Sequence, residues 1–467
     1  MNEWRNWSNS SKSKSDLPAS AGQIDNKKYR AAIITVGGTE EPIQKTIIEN
    51  NPEFVVFLAS NESIAKAGNV VEGCKREGVS PEFEYIIVED KDNLVDCYKR
   101  SLEAIDKVKK RGYAAKEVLI DFTGGTKAMS VGLGLAAVRE DFDFSYVSGR
   151  ERTKDGVGVV VSGTEEILIS TSPWQLFAIE EKEALAVMFN KYQFLAASEL
   201  VERLVKRKSL PSYEQSLMGM LKELIDGYLQ WDHFKHPEAR KSIDRRKVEA
   251  LEKFVNDHAG HDDRAAKGVE QLGPFVEAVK NNCRFLERLQ ERTKGFKDGI
   301  LVEEHVVDLL ANAHRRYKEG KYDDAFARLY RAIEMAGQIA FTRRFGYQTK
   351  EVPPEIIPTT GVGRSGNLRE EFVRKHTDEK TGMLKLPLTA TYTVLSAVGD
   401  ELGKRFDEHR DTVQKFLHIR NNSILAHGIK PVKKEHYEEY QPFAMSLIGV
   451  KDDDLPRFPK LPLRFME

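Results

Sequence analysis

The sequence predicts an α/β sheet domain followed by an all-helical remainder, and three observations carry that prediction. Short apolar runs recur at 31–36, 54–59, 85–88, 118–121 and 144–148 with helix-length stretches between them. That alternation is the pattern of a parallel sheet with helices on both faces. Beyond residue 172 it gives way to amphipathic stretches at 177–205 and 213–231, with helical rather than strand periodicity. Near the C-terminus, Val413, Leu417, Arg420, Ile424 and His427 follow one another in steps of four, three, four and three residues. This is the seam spacing of a helix that packs against another helix.

In chain order, residues 1–27 are rich in Ser, Asn and Lys and read as a disordered tail. Residues 28–172 form the sheet domain, with 157–162 and 167–170 predicted as a closing hairpin. Ligands of such sheets bind outside the C-terminal strand ends. Two of those ends carry the same chemistry. The first gives Gly37, Gly38 and Thr39; the fourth gives Asp121, then Thr123, Gly124, Gly125, Thr126 and Lys127, running into a helix. Glycines let backbone N–H groups approach a ligand, and a helix start favours an anion. The second strand end adds Ser60, Asn61 and Ser63, and the fifth adds Ser148, Gly149 and Arg150. A phosphate-bearing ligand is therefore expected on this edge. The chain has neither GxxxxGK[ST] nor GxGxxG, which argues against a P-loop ATPase and a dinucleotide cofactor.

Residues 173–299 read as a charged helical connector, in which the basic run 235–247 is either a solvated face or an RNA contact. Residues 300–467 form a second helical region. Its run DDAFARLYRAIEMAGQIAF, 323–341, places Leu329, Ile333, Ala336 and Ala340 on one helical face. A Pro-rich loop, 353–364, then separates this helix from the stretch RNNSILAHG, 420–428.

That stretch carries the candidate chemistry. Read as the end of one helix, it projects Arg420 and His427 from a single face, two turns apart, with Gly428 and Pro431 stopping the helix after His427. Histidine can give and take a proton during a reaction, and arginine grips a phosphate through a rigid fork of donors. Asn421 adds an amide beside them. A proton donor beside a phosphate clamp, with no acidic cluster, points to metal-independent RNA cleavage in which the 2′-hydroxyl attacks the neighbouring phosphate.

Composition narrows the field. A formal net charge of −1 gives no support to a bulk-electrostatic nucleic-acid binder, so any RNA contact should be local. The cysteines Cys74, Cys97 and Cys283 have no paired spacing, which indicates neither zinc nor a disulfide framework. No apolar run has the length of a membrane span and no signal peptide is evident, so a cytoplasmic protein is expected.

Taken together, these stretches resemble a known family. DFTGGTKAMS resembles the ring-nucleotide sensor signature of CARF domains, which have a Rossmann-like fold. RNNSILAHG resembles the HEPN ribonuclease motif, and RLYRAIE resembles another HEPN helix. The order of sensor, connector and HEPN domain is that of type III CRISPR accessory ribonucleases. The resemblance implies a homodimer that binds cyclic oligoadenylate, with cyclic tetra-adenylate favoured over cyclic hexa-adenylate, and that cuts single-stranded RNA at a composite site between subunits. It implies no catalytic metal or cofactor and no stable association with the CRISPR effector complex. Carried onto this chain, His427 would be the acid/base or transition-state stabiliser, Arg420 the phosphate clamp and Asn421 a supporting group. Gly37, Gly38, Thr39, Asn61, Ser63, Thr123, Gly124, Gly125, Thr126 and Lys127 would line the activator pocket. Thr39 and Thr126 would be candidates for slow cleavage of the activator. The alternative is a non-catalytic sensor or scaffold in which the HEPN domain only dimerises. A DNA-directed output finds no PD-(D/E)xK cluster to support it.

Overall fold

A computed structural model describes residues 29–465, leaving out 139, 150–151, 155–156, 161–164, 171–173, 207–209, 211, 259–267, 295–299 and 361–366. The chain forms two compact units that divide between Phe177 and Ala178.

The first unit is built from β1 (Ala31–Thr35), α1 (Glu41–Asn50), β2 (Phe54–Ser60), α2 (Ile64–Arg76), β3 (Glu82–Val88), α3 (Leu94–Lys110), β4 (Val118–Asp121), α4 (Lys127–Ala137) and β5 (Asp143–Gly149). These strands are parallel, in the order β3-β2-β1-β4-β5. Side chains alternate across the sheet as the strand period requires. Ala31, Ile33, Val56 and Leu58 meet Cys97, Ile105 and Val108 of α3 and Leu133 of α4 on one face. Ala32, Ile34, Val55 and Phe57 meet Ile43 and Ile47 of α1 and Val70 and Cys74 of α2 on the other.

Among the described residues the expected closing hairpin is not formed. β7 (Val157–Val160) pairs with β6 (Arg152–Lys154), while β8 (Glu165–Ser170) runs antiparallel along β5. An antiparallel strand satisfies the backbone groups that β5 would otherwise expose at the sheet edge, which sequence alternation alone does not specify. β3 begins earlier than its apolar residues suggest, because Glu82 and Glu84 lie on the opposite edge strand. There Arg111 pairs with both carboxylates.

The second unit is helical: α5 (Trp174–Asn190, which spans the division), α6 (Phe194–Val205), α7 (Ser212–Asp232), α8 (His236–Ser242), α9 (Arg245–His258), α10 (Gly273–Thr293), α11 (Glu303–Lys318), α12 (Tyr322–Phe345), α13 (Leu368–His376), α14 (Leu388–Ala397), α15 (Glu401–Glu408), α16 (Arg410–Asn422) and α17 (Lys434–Ile448). The stretch 177–205 is two helices rather than one, since Tyr192 adopts a left-handed φ of 62° between α5 and α6. Three cations of the basic run 235–247 pair with carboxylates of other helices: Arg240 and Arg245 share Glu287 of α10, at 3.0 and 3.1 Å, and Lys247 meets Glu223 of α7 at 2.9 Å.

The C-terminal segment returns to the connector helices. Phe458 packs 4.7 Å from Tyr228 and 5.1 Å from Trp231, and the Asn190 amide bonds both the N–H and the carbonyl of Leu461 at 2.8 Å. The loop that begins at Pro353 is anchored at its start, because Val352 and Ile357 are fully buried with Phe341, Leu384 and Val394. Residues 361–364 of that loop lie outside the described residues. The core behind the candidate chemistry joins α11, α12, α16 and α17 through Leu309, Phe326, Leu329, Ile333, Val413, Phe416 and Tyr440.

Candidate functional site

The strand order reverses between β1 and β4, and open α/β sheets bind ligands in the crevice at such a point. The two glycine loops meet there. A Cβ on Gly37 would lie 2.4 Å from the Gly125 nitrogen, and one on Gly124 would lie 2.3 Å from the Thr35 carbonyl oxygen. Only glycine allows this backbone-to-backbone approach. The Thr35 hydroxyl, donating to the Gly124 carbonyl at 2.7 Å, holds the loops together.

Beneath them Asp121 is fully buried. It accepts the Thr46 and Ser145 hydroxyls at 2.8 Å each and the Thr123 N–H at 2.9 Å. Burial pushes its carboxyl above the ordinary value despite those donors. Asp121→Asn retains an acceptor for the Thr123 N–H, so its unfolding free energy is expected to change by less than about 1 kcal/mol. Asp121→Ala strands three donors and should cost about 2 kcal/mol. A raised carboxyl favours the neutral acid in the folded state. Its contribution is therefore complete below the ordinary aspartate range and is lost as pH rises through the raised value. In thermal melts Asp121→Asn should gain on wild type as pH rises from acid to neutral.

The predicted activator residues divide by where their polar groups go. Gly38, Thr39, Asn61 and Lys127 are exposed at the strand ends. The Thr126 hydroxyl caps α4, accepting the Met129 N–H at 3.3 Å while donating to the Lys91 carbonyl. The Thr123 hydroxyl accepts the Val147 N–H at 2.8 Å. Ser63 is buried, its hydroxyl accepting the Ser60 N–H at 2.9 Å. Sequence reasoning passed over Lys66, whose ammonium donates to the Gly38 carbonyl at 2.6 Å, and Lys91, paired with Glu62 on the same edge. Their only sequence signal was a positive charge shortly after a strand end.

At the other candidate site the single-helix reading needs correcting. α16 ends at Asn422, so His427 lies beyond the helix rather than in its last turn. Local side chains compete with the helix ladder here: Asn422 donates to the His418 carbonyl at 2.8 Å and Ser423 to the Arg420 carbonyl at 2.7 Å. The chain then folds back on itself. The His427 N–H donates to the Asn421 carbonyl at 3.3 Å, the Gly428 N–H to the Ser423 carbonyl at 3.2 Å and the Lys430 N–H to the Asn422 carbonyl at 3.0 Å. Asp323 on α12 then takes the Val432 N–H at 3.0 Å. The backbone of His427 is thus returned to the end of α16 by a closed loop and bonds the carbonyl of Asn421, the residue after Arg420.

The seam reading changes with it. Val413 and Phe416 are the buried residues of α16, while Ile424 is 62% exposed. Arg420 stands with its guanidinium 4.4 Å above the Tyr330 ring and donates to the Asn421 side chain at 3.1 Å. Stacking on an aromatic face holds an arginine in place without neutralising it. Burial and Glu334 keep the Tyr330 phenol protonated above its ordinary range, against the opposing pull of Arg420 and Arg331. Tyr330 was absent from the sequence candidates, although it sits within the singled-out run RLYRAIE. His427 and Asn421 are exposed, and His418 is too. Among the described residues no group of three or more His, Cys, Asp or Glu side chains is placed to hold a metal ion, and no helix is long and apolar enough to cross a membrane.

Comparison with known proteins bears on the domains and the fold. Residues 177–286 match the family model of the Csm6 6H domain, and residues 299–451 match that of the Csm6 HEPN domain. No curated protein sequence matches the chain. In fold it is similar to Enterococcus italicus Csm6 bound to cyclic hexa-2'-fluoro-hexa-dAMP. That match has 12% identity and a TM-score of 0.52, over 91% of this chain and 96% of that one. Can2 from Sulfobacillus thermosulfidooxidans, in complex with cyclic tetra-adenylate, matches over 50% of this chain and 70% of its own at 11% identity and a TM-score of 0.23. With a sheet domain leading into two successive Csm6 domain matches, the chain belongs to the type III CRISPR-associated CARF–HEPN family.

Proposed function

We propose that this protein is an endoribonuclease that cuts single-stranded RNA without a metal ion when cyclic oligoadenylate occupies the crevice between β1 and β4. The observation that supports the reading is the closed loop that bonds the His427 backbone to Asn421 at the end of α16, the residue after Arg420. Arg420 would clamp the scissile phosphate and offset its developing charge. The 2′-hydroxyl of the RNA gives up its proton as it attacks the adjacent phosphorus, the P–O5′ bond breaks to leave a 2′,3′-cyclic phosphate, and the departing 5′-oxygen takes up a proton. His427 would move these protons, and Asn421 would support the phosphate through its amide. The paired glycine loops and the start of α4 supply backbone N–H groups for the activator's phosphates.

A homodimer is part of this reading. Ile424, Leu425 and Ile429 are 62%, 52% and 89% exposed around His427, an apolar face that a second copy would cover while bringing its own Arg420 and His427. Ile429→Glu should therefore convert dimer to monomer in sedimentation velocity and lower RNA cleavage at least tenfold. A fully active dimer carrying that substitution would remove the face from the interface.

The deciding experiment is fluorogenic RNA cleavage with EDTA present, without activator and then with cyclic tetra-adenylate or cyclic hexa-adenylate. Cleavage with one ring alone would establish the gated nuclease and identify its activator, for which we favour the tetra-adenylate. Ring binding without cleavage would favour the alternative, a sensor whose HEPN domain only dimerises. Following ring integrity in the same reactions tests whether the sheet domain degrades its activator. The hydroxyl of Thr39, on an exposed residue, is better placed for this than that of Thr126, which caps α4.

A further inference from the structure

We propose that a cleft beside α12 is a subsite for one nucleotide of the RNA strand, an assignment that rests on the ribonuclease reading above. The cleft has a volume of about 260 Å3, and its lining includes Leu301, Arg331, Gln338, Ile339, Thr342 and Lys350. Its composition suits a nucleotide. Leu301 and Ile339 offer an apolar surface to a base, the Gln338 amide and Thr342 hydroxyl can read a base edge, and the exposed Lys350 suits a phosphate.

Its position ties it to the chemistry. Arg420 stacks on Tyr330, and the next residue, Arg331, is held by Glu334 at 2.6 Å and by Gln338 at 2.9 Å. Gln338 lies eight residues beyond Tyr330 on α12, about 12 Å along the axis at the helical rise. An extended strand whose scissile phosphate sits at Arg420 reaches the cleft within a few nucleotides. Glu334, on the same helix, is paired with Arg331, and Lys350 is an exposed cation on the lining.

The test compares steady-state cleavage of a dinucleotide and of a longer RNA of about ten nucleotides by activated wild type, Gln338→Ala and Lys350→Ala. KM for the longer RNA should rise roughly five- to tenfold in each variant with kcat unchanged, the loss of one ground-state polar contact. Gln338→Ala should also flatten the base preference at one position away from the cut. The dinucleotide, too short to reach the cleft, should be cut equally by all three proteins, a pattern that general damage to the fold would not produce. Unchanged KM and base preference on the longer RNA would overturn the subsite while leaving the ribonuclease reading intact. A wild type that cuts neither RNA overturns the ribonuclease reading, and the subsite falls with it.

Discussion

His427→Ala should lower activated RNA cleavage by about a thousandfold, within the range that a positioned proton-transfer group contributes. Removing an exposed ring leaves the core of Phe326, Phe416 and Tyr440 untouched, so the melting temperature should hold. Cyclic oligoadenylate binding should also be unchanged, because the paired glycine loops belong to the other compact unit. Single-turnover cleavage and ring binding measured on one preparation check both halves. Arg420→Lys sharpens the assignment. An ammonium keeps the charge but loses the planar fork and the flat stack on Tyr330, so most of the activity should still be lost. Near-wild-type cleavage by His427→Ala would take the loop out of the chemistry altogether.

Gly428→Ala is expected to be nearly as damaging although it adds one methyl group and removes no functional atom. A Cβ at that position would lie 2.0 Å from the Asn422 carbonyl oxygen and 2.3 Å from its carbonyl carbon. Backbone cannot swing aside as a side chain does, so the return of the chain must open. The Asn422 carbonyl accepts from Lys430, and the neighbouring Asn421 carbonyl accepts from His427. Displacing His427 by an ångström should cost on the order of a hundredfold in kcat, since proton transfer demands hydrogen-bond reach. The loop is exposed, so thermal stability should change far less than activity. Stopped-flow cleavage alongside calorimetry separates the two. If Gly428→Ala cleaves normally, the closed loop is not what positions the histidine.

How much of this was legible in the chain varies from element to element. The parallel strands were readable because each is a short apolar run bounded by turn residues. β8 was readable as a strand at 167–170 but its partner was not, since which strand an edge accepts depends on the edge and not on the strand. The glycine loops announced a ligand edge, but their contact with each other follows only from the order in which β1 and β4 become neighbours. In the RNNSILAHG stretch the residue types were sufficient to name Arg420, Asn421 and His427. The helical seam drawn through them was wrong, because Asn422 and Ser423 turn their side chains onto the backbone and end α16. Tyr330 went unnoticed for a related reason. An aromatic on an amphipathic helix reads as core until a distant arginine is seen stacked on it.

The sequence by itself determined the inventory: an α/β domain with a glycine-rich ligand edge, helical regions after it in the chain, and an arginine and a histidine suited to phosphate chemistry. Those follow from local periodicity and from what each side chain can donate, accept or titrate. Only the tertiary structure decided which groups are free to act. The Thr126, Thr123 and Ser63 hydroxyls are engaged by backbone partners, whereas Thr39 and Asn61 are left at the surface. The structure also decided that His427 bonds back to the end of α16 through a closed loop rather than extending the helix. The physical reason is the same in each case. A buried polar atom must be satisfied, and which partner satisfies it depends on residues brought close in space that the chain order keeps apart.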